Sequence, residues 1–200
     1  DTLNTKGIYA TYYHGGMDQD ERERALIQFR NGSVSYLITT DLAARGLDIP
    51  EMKHVIHYHL PLKEDEFTHR NGRTARMQAS GTAYIIAHES EKKMEYLDYK
   101  MPVLNVENST NLPKPPEFQT IYVSGGKKNK LNKIDIVGFF SQKGKLEKGD
   151  LGLIEVKDFI SFAAVKSKKV KEFLANIRDE KMKGKKFKIE VARKVVKKEE

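Results

Sequence analysis

The chain has 200 residues, 38% of them apolar and 32% charged, with 36 Lys+Arg against 28 Asp+Glu and a net charge of +8. That is room for one large domain or two of about 100 residues, with too much apolar content for a wholly disordered chain. Zero cysteines exclude a disulfide scaffold, a Cys-ligated zinc site and a cysteine nucleophile. No apolar run approaches the ~20 residues of a membrane-spanning helix, and no charged-then-apolar signal segment opens the chain. A cytoplasmic protein is expected.

Asp1–Gly7 reads as the tail of a helix and Ile8–Tyr13 as a β-rich run. Asp18, with Glu21 three residues on, has the spacing of a capping box ahead of Ala25, Leu26 and Phe29 at helical intervals; Gly32 stands where that helix should stop. Val34–Thr39, Val55–Leu60 and Thr82–Ala87 read as strands, with a short charged helix over Glu64–Asn71 between the last two. Strands alternating with helices imply an α/β layered unit around a largely parallel sheet.

Residues 98–118 carry Pro102, Pro113, Pro115 and Pro116 among asparagines and serine, and read as an extended connector. Beyond it the pattern is β-α-β-β-α-β. Strands are expected over Gln119–Ser124, Gly152–Val156, Ile160–Val165 and Phe187–Val191. Helices are expected over Lys133–Ser141 and through Val170, Phe173, Leu174 and Ile177. That order is the split βαβ, ferredoxin-like arrangement of an α+β domain. The expected organisation is therefore 1–97, a linker over 98–118, a second domain over 119–193, and a charged tail over 194–200.

Charge follows the same division. Residues 1–118 hold 14 Lys+Arg against 17 Asp+Glu; residues 119–200 hold 22 against 11. A basic surplus concentrated in one half is the footprint of a polyanion binder, although a solubilising lysine surface has the same composition.

Two segments of the first half carry chemistry: Thr39-Thr-Asp-Leu-Ala-Ala-Arg-Gly-Leu-Asp48, directly after a strand, and His69-Arg-Asn-Gly-Arg-Thr-Ala-Arg76. Arg45, Arg70, Arg73 and Arg76 among glycines and small residues make a poor core and a good anion site, because guanidinium forks bond phosphate oxygens bidentately. The loop after a parallel strand is also where open α/β sheets bind ligands. His54, His57 and His59 invite a metal reading. Alternate strand residues point to opposite faces, so His54 is out of phase with the other two, and strand packing is the better expectation.

The two arginine-bearing segments resemble motifs V and VI of DEAD-box RNA helicases, in the second of that family's two RecA-like domains. His14-Gly15-Gly16-Met17, with Gln19 and Arg22, resembles the family's preceding RNA-contacting motif, and His57–Pro61 the segment between V and VI. The resemblance runs from about Ile8 to Ala87. It implies that Arg73 and Arg76 act as arginine fingers on ATP and that Asp48 bonds its ribose. It also implies that Gly16, Gln19, Arg22, Thr40 and Asp41 line the RNA backbone, and that His69 and Arg70 serve the interdomain cleft. Gly16, His59, Asn71 and Ala75 depart from the usual residues at their positions, and are read as tolerated drift.

No G-x-x-x-x-G-K-S/T phosphate loop and no Asp-Glu-Ala-Asp box occurs in the sequence. The resemblance thus implies an incomplete RecA-like domain, with ATP and Mg2+ held mainly by a first domain outside this chain and no ATP hydrolysis by the chain alone.

Ile121–Lys130, Asp158–Val165 and Met182–Phe187 resemble the accessory RNA-binding domain of DbpA-type helicases, over roughly 119–192. That resemblance implies an RRM-like fold and anchoring to structured ribosomal RNA during large-subunit assembly. Tyr122 and Phe162 would be the stacking aromatics. Ile160 stands at the remaining aromatic position and Asp158 where Lys or Arg is usual, which shifts the expected binding toward Lys127, Lys128, Lys130, Lys183, Lys185 and Lys186. The expected partners are RNA and ribosomal precursor particles, with the protein a monomer and no membrane involved. Two other readings stay open: a non-catalytic RNA-binding or annealing module, and a helicase of broad cold-shock or messenger RNA duties.

Overall fold

The computed structural model describes residues 2–41, 52–72, 81–88, 90, 94–98, 100–106 and 111–192. In chain order the elements are α1 (Thr2–Thr5), β1 (Ala10–Tyr13), α2 (Gln19–Arg30), β2 (Tyr36–Thr39), β3 (His54–His57), α3 (Glu64–Asn71) and β4 (Thr82–Ile85). Then follow β5 (Phe118–Val123), a 3-10 turn over Lys127–Asn129, α4 (Lys133–Gln142), β6 (Leu151–Val156), β7 (Ser161–Lys166), α5 (Val170–Ile177) and β8 (Ile189–Val191). Packing groups these into two compact units, one joining the residues up to Ile38 with those from Pro113 onward, the other spanning Thr39–Leu112.

The capping box on α2 forms in full: Asp18 Oδ1 accepts from the Glu21 N–H at 2.8 Å, and a Glu21 carboxylate oxygen accepts from the Asp18 N–H at 3.1 Å. Gly32, at φ +67°, follows the helix in the left-handed conformation that a side chain would strain. The burial of α2 differs from the expected stripe. Ala25 and Ile27 are its buried residues, while Leu26 and Phe29 are half-buried. The helix has neighbours on two sides, β1 and β5, so one apolar stripe does not describe it.

The later strands of the first unit form a four-stranded sheet in the order β6-β7-β5-β8. Each neighbouring pair is antiparallel, with Tyr122 opposite Phe162 across β5–β7 and opposite Glu190 across β5–β8. Alternation sends Ile121 and Val123 of β5 into the main core with Ile136 and Phe140 of α4 and Phe173 of α5, all 0% exposed. The Phe140 and Phe173 rings lie 4.5 Å apart. Burying side chains of this size stabilises the fold by roughly 1.5–3 kcal/mol each. Gly144 is required here, since a Cβ on it would lie 2.4 Å from the Phe140 carbonyl oxygen and 2.5 Å from the Phe173 ring.

In the unit spanning Thr39–Leu112, β3 and β4 pair in parallel, His54 opposite Thr82 through His57 opposite Ile85. Among the described residues the first half therefore holds two separate two-stranded sheets, β1-β2 and β3-β4, in place of one continuous sheet. Strand β3 also ends at His57, short of the expected Leu60. The His59 carbonyl beyond it accepts from Arg70 Nη1 at 2.8 Å instead of joining a ladder.

Candidate nucleic-acid interface

Helix α3 begins with Glu64, Asp65 and Glu66 and ends with His69 and Arg70, which places each sign of charge at the helix end it complements. From that last turn Arg70 reaches two segments. Its Nε and Nη2 each lie 2.6 Å from Asp41 Oδ1, and its Nη1 bonds the His59 carbonyl. The structure thus brings the end of the Thr39–Asp48 segment that is described, the loop after β3 and the start of the His69–Arg76 segment to one guanidinium. His69 and Thr40 are exposed. Asp48, Arg73 and Arg76, with Arg45 and Ala75, lie outside the described residues.

His57 is 1% exposed, its ring 4.7 Å from that of Phe67, with Nε2 2.8 Å from Asn71 Oδ1. Nδ1 is buried without a partner among the described residues. Burial holds the pKa of the imidazole below its ordinary value of 6.5; the Asn71 hydrogen bond opposes that shift and the Arg70 charge adds to it. The neutral ring then donates through Nε2 to the Asn71 carbonyl oxygen. Two residues from different segments complete one hydrogen bond here, which neither position alone announces. No group of three or more His, Asp or Glu able to hold a metal occurs among the described residues.

At the start of α2, Gly16 and Gln19 are exposed, and the Gly16 N–H donates to His14 Nδ1 at 3.1 Å. Arg22 turns back on the loop. It donates to the Met17 carbonyl at 2.6 Å and to Gln19 Oε1 at 2.8 Å, which fixes the chain's entry into the helix.

The six expected lysines of the second half stand on or beside two turns. Lys127 and Lys128 open the 3-10 turn, their N–H groups donating to the carbonyls of Lys157 and Asp158 at 2.8 Å. Gly126 must be glycine, because a Cβ would lie 2.2 Å from the Lys157 oxygen. Lys183 (φ 51°) and Gly184 (φ 75°) are the centre of a tight turn closed by reciprocal Met182–Lys185 backbone bonds, the geometry of a type I′ turn. Lys183 Nζ then donates to the Lys130 carbonyl at 3.0 Å and meets Asp135 at 3.2 Å, so the two turns are clipped together. Lys127, Lys128, Lys130, Lys183, Lys185 and Lys186 are all exposed. Lys186 meets Asp179 at 3.3 Å on the surface.

Tyr122 and Phe162 occupy the sheet face opposite α4 and α5, their rings 5.8 Å apart edge to face. That face is covered within its own unit. Ile27 of α2 packs there with Phe162 and Ala192, each at most 5% exposed, and Ile160 closes the same cluster. The Arg24 guanidinium lies 5.6 Å from the centre of the Tyr122 ring. Arg30 pairs with Glu155 at 2.8 Å, Gln28 Nε2 donates to the Ala192 carbonyl at 2.6 Å, and Ser33 Oγ and Thr120 Oγ1 are 2.7 Å apart. Arg24, Ile27 and Arg30 were not among the expected site residues. Their signal in the sequence is an isoleucine out of phase with the Ala25–Leu26–Phe29 stripe, bracketed by arginines.

Comparison with known proteins finds similarity in both halves of the chain. The helicase conserved C-terminal domain matches residues 1–78, and the DbpA RNA-binding domain matches residues 120–191. The ATP-dependent RNA helicase DbpA of Bacillus subtilis is 29% identical over 97% of this chain and 46% of its own length. That of Escherichia coli is 32% identical over 92% of this chain and 42% of its own. The chain spans less than half the length of either relative. Among solved structures, the C-terminal domain of the DEAD-box protein Dbp5 is 35% identical over 44% of this chain and 53% of that one, at a TM-score of 0.40.

Proposed function

We propose that this chain, which belongs to the DEAD-box RNA helicases and carries a helicase C-terminal domain ahead of a DbpA RNA-binding domain, is the C-terminal portion of an ATP-dependent enzyme that remodels structured RNA. Ribosomal RNA, during large-subunit assembly in the cytoplasm, is its proposed substrate, taken from ribosomal precursor particles by a monomer. The observation that carries the reading is the tandem itself: an arginine-bearing helicase segment followed by a basic domain with six lysines on or beside two clipped turns. In this reading residues 1–97 are the RecA-like part, 98–118 the linker, and 119–193 an RRM-like domain.

ATP and Mg2+ would supply phosphoryl transfer when bound. The residues of this chain that would touch ATP are Asp48, Arg73 and Arg76. Within the described residues, Arg70 holds the Thr40–Asp41 turn against the loop after β3, which supports a role in presenting Thr40 and Asp41 to an RNA backbone. Lys127, Lys128, Lys130, Lys183, Lys185 and Lys186 would grip phosphates without reading sequence. The 200-residue chain alone is expected to hydrolyse no ATP.

The deciding experiment compares binding of the chain to a large-subunit ribosomal hairpin and to a scrambled hairpin at matched salt. A preference of about tenfold, near 1.4 kcal/mol, supports a ribosomal target. Equal affinities with a steep salt slope would replace it with a general electrostatic tether, the arrangement a broad-duty helicase would use.

A further inference from the structure

The sheet face that displays Tyr122 and Phe162 is the surface on which a domain of this topology would stack unpaired bases. In this structure α2 fills it, with apolar, stacking and ionic components all matched. Ile27, 1% exposed, fills the space over Phe162, itself 1% exposed. The Arg24 guanidinium, planar and cationic, lies over Tyr122 at 5.6 Å, where a base would lie. Arg30 meets Glu155 at 2.8 Å and Glu23 meets Lys157 at 3.9 Å, so charges of both signs are complementary across the interface. Asn31 Nδ2 donates to Thr120 Oγ1 at 3.3 Å, beside the Ser33–Thr120 bond.

We infer that α2 and a nucleobase of single-stranded RNA compete for this one surface, the Tyr122–Phe162 face holding either the helix or a stacked base. The inference rests on the RNA-binding reading of the C-terminal domain and deepens it. Two features favour competition over permanent packing. The seated face of α2 is mostly polar and charged, with Ile27 as its single apolar side chain buried against the sheet, so most of its contacts are polar ones that water or RNA can replace. The residues at the helix start, Gln19 and Arg22, belong to the proposed RNA track, so RNA arriving there meets the element that would have to move.

The chain has no cysteine, which permits a clean lock. The Ser33 and Thr120 hydroxyl oxygens lie 2.7 Å apart, so Ser33→Cys with Thr120→Cys places two sulfurs within bonding reach. Arg30→Glu in the same chain sets like charges against each other at Glu155 and favours release when the pair is reduced. One protein, R30E with S33C and T120C, is then assayed oxidised and reduced against oligouridine and against a structured hairpin. Oligouridine is expected to bind the reduced form at least about tenfold more tightly, equivalent to about 1.4 kcal/mol. Adding Phe162→Ala should erase that gain, and hairpin affinity should be the same in both states.

Equal oligouridine affinity in the two states, with hairpin binding intact, overturns the competition and leaves the RNA-binding reading standing. Failure of the S33C and T120C pair to oxidise in the chain that keeps Arg30 overturns the docking itself. Binding of neither RNA in either state overturns both readings. Because oxidation restores the seated helix in the same protein, a defect that persists in the oxidised form reports misfolding and counts against the docked geometry.

Discussion

Arg70 grips a single oxygen of Asp41 with two of its nitrogens, Nε and Nη2, each at 2.6 Å. The carboxylate is largely exposed and the guanidinium mostly covered, so the pair is a surface ion pair with one well-anchored partner. Such pairs stabilise by about 0–1 kcal/mol. Their effect on position is larger, because the same guanidinium also holds the His59 carbonyl. Arg70→Lys keeps the charge and loses the fork. It should lower the unfolding free energy from urea titration only slightly, by about 1 kcal/mol or less. In the full-length helicase proposed above, it should cut RNA-stimulated ATP hydrolysis far more than a stability loss of that size explains. Wild-type turnover in that variant would show that the clamp positions nothing.

His57 makes stability depend on pH with a definite sign. Its folded pKa lies below 6.5 because burial disfavours the imidazolium. Between the folded value and 6.5 the unfolded chain binds more protons than the folded one, so stability falls as pH drops through that window. The contribution is complete above the unfolded value of 6.5. Urea midpoints measured from about pH 7.5 down to about pH 5 should decline, and His57→Gln should flatten the decline. A slope that survives the substitution would assign it to another group.

Two glycines should respond in opposite directions to the same methyl group. A Cβ on Gly126 meets the Lys157 carbonyl oxygen at 2.2 Å, a backbone atom that cannot swing away. Gly126→Ala should cost about 1–3 kcal/mol and weaken RNA binding by displacing Lys127 and Lys128. Gly138, inside α4, has nothing within 4 Å of its Cβ position. Gly138→Ala should therefore gain about 0.5–1 kcal/mol from helix propensity. Thermal or urea unfolding of the two variants checks both signs.

Salt dependence separates phosphate grip from indirect damage. Lys127→Glu with Lys128→Glu should weaken hairpin binding. It should also flatten the slope of log affinity against log salt, by about 0.9 for each duplex phosphate that the two lysines neutralise in the wild type. A weaker affinity with an unchanged slope would mean that the turn was distorted while every phosphate stayed neutralised.

Ile27→Ala removes the one apolar side chain of α2 that is buried against Phe162 and Ala192. A large-to-small change at a fully buried isoleucine costs about 2–5 kcal/mol, and the low end is expected where only one helix lies over the sheet. The loss should appear in unfolding monitored on the full chain. A change under about 0.5 kcal/mol, the range of ordinary surface substitutions, would show that the helix is not seated in solution.

Much of this was legible in the sequence because it depends on neighbours in the chain. The Asp18–Glu21 capping box, the α3 range Glu64–Asn71, the Val170–Ile177 spacing and the β-α-β-β-α-β order all follow from residues within one or two turns of each other. The family was legible for a related reason. Thr39–Asp48 and His69–Arg76 are each contiguous runs, so the resemblance they carry is readable without knowledge of the fold.

Tertiary structure alone decided what lies far apart in sequence. Periodicity places Tyr122 and Phe162 on one sheet face, but it does not say that Ile27 and Arg24 lie over them. That cover depends on charge and shape matching between Arg30 and Glu155 and between Ser33 and Thr120, whose separation in the chain carries no periodic signal. The His57–Asn71 bond and the triple hold of Arg70 are of the same kind. Local propensity determines which elements form; burial and the pairing of polar groups in three dimensions determine which faces remain for a ligand.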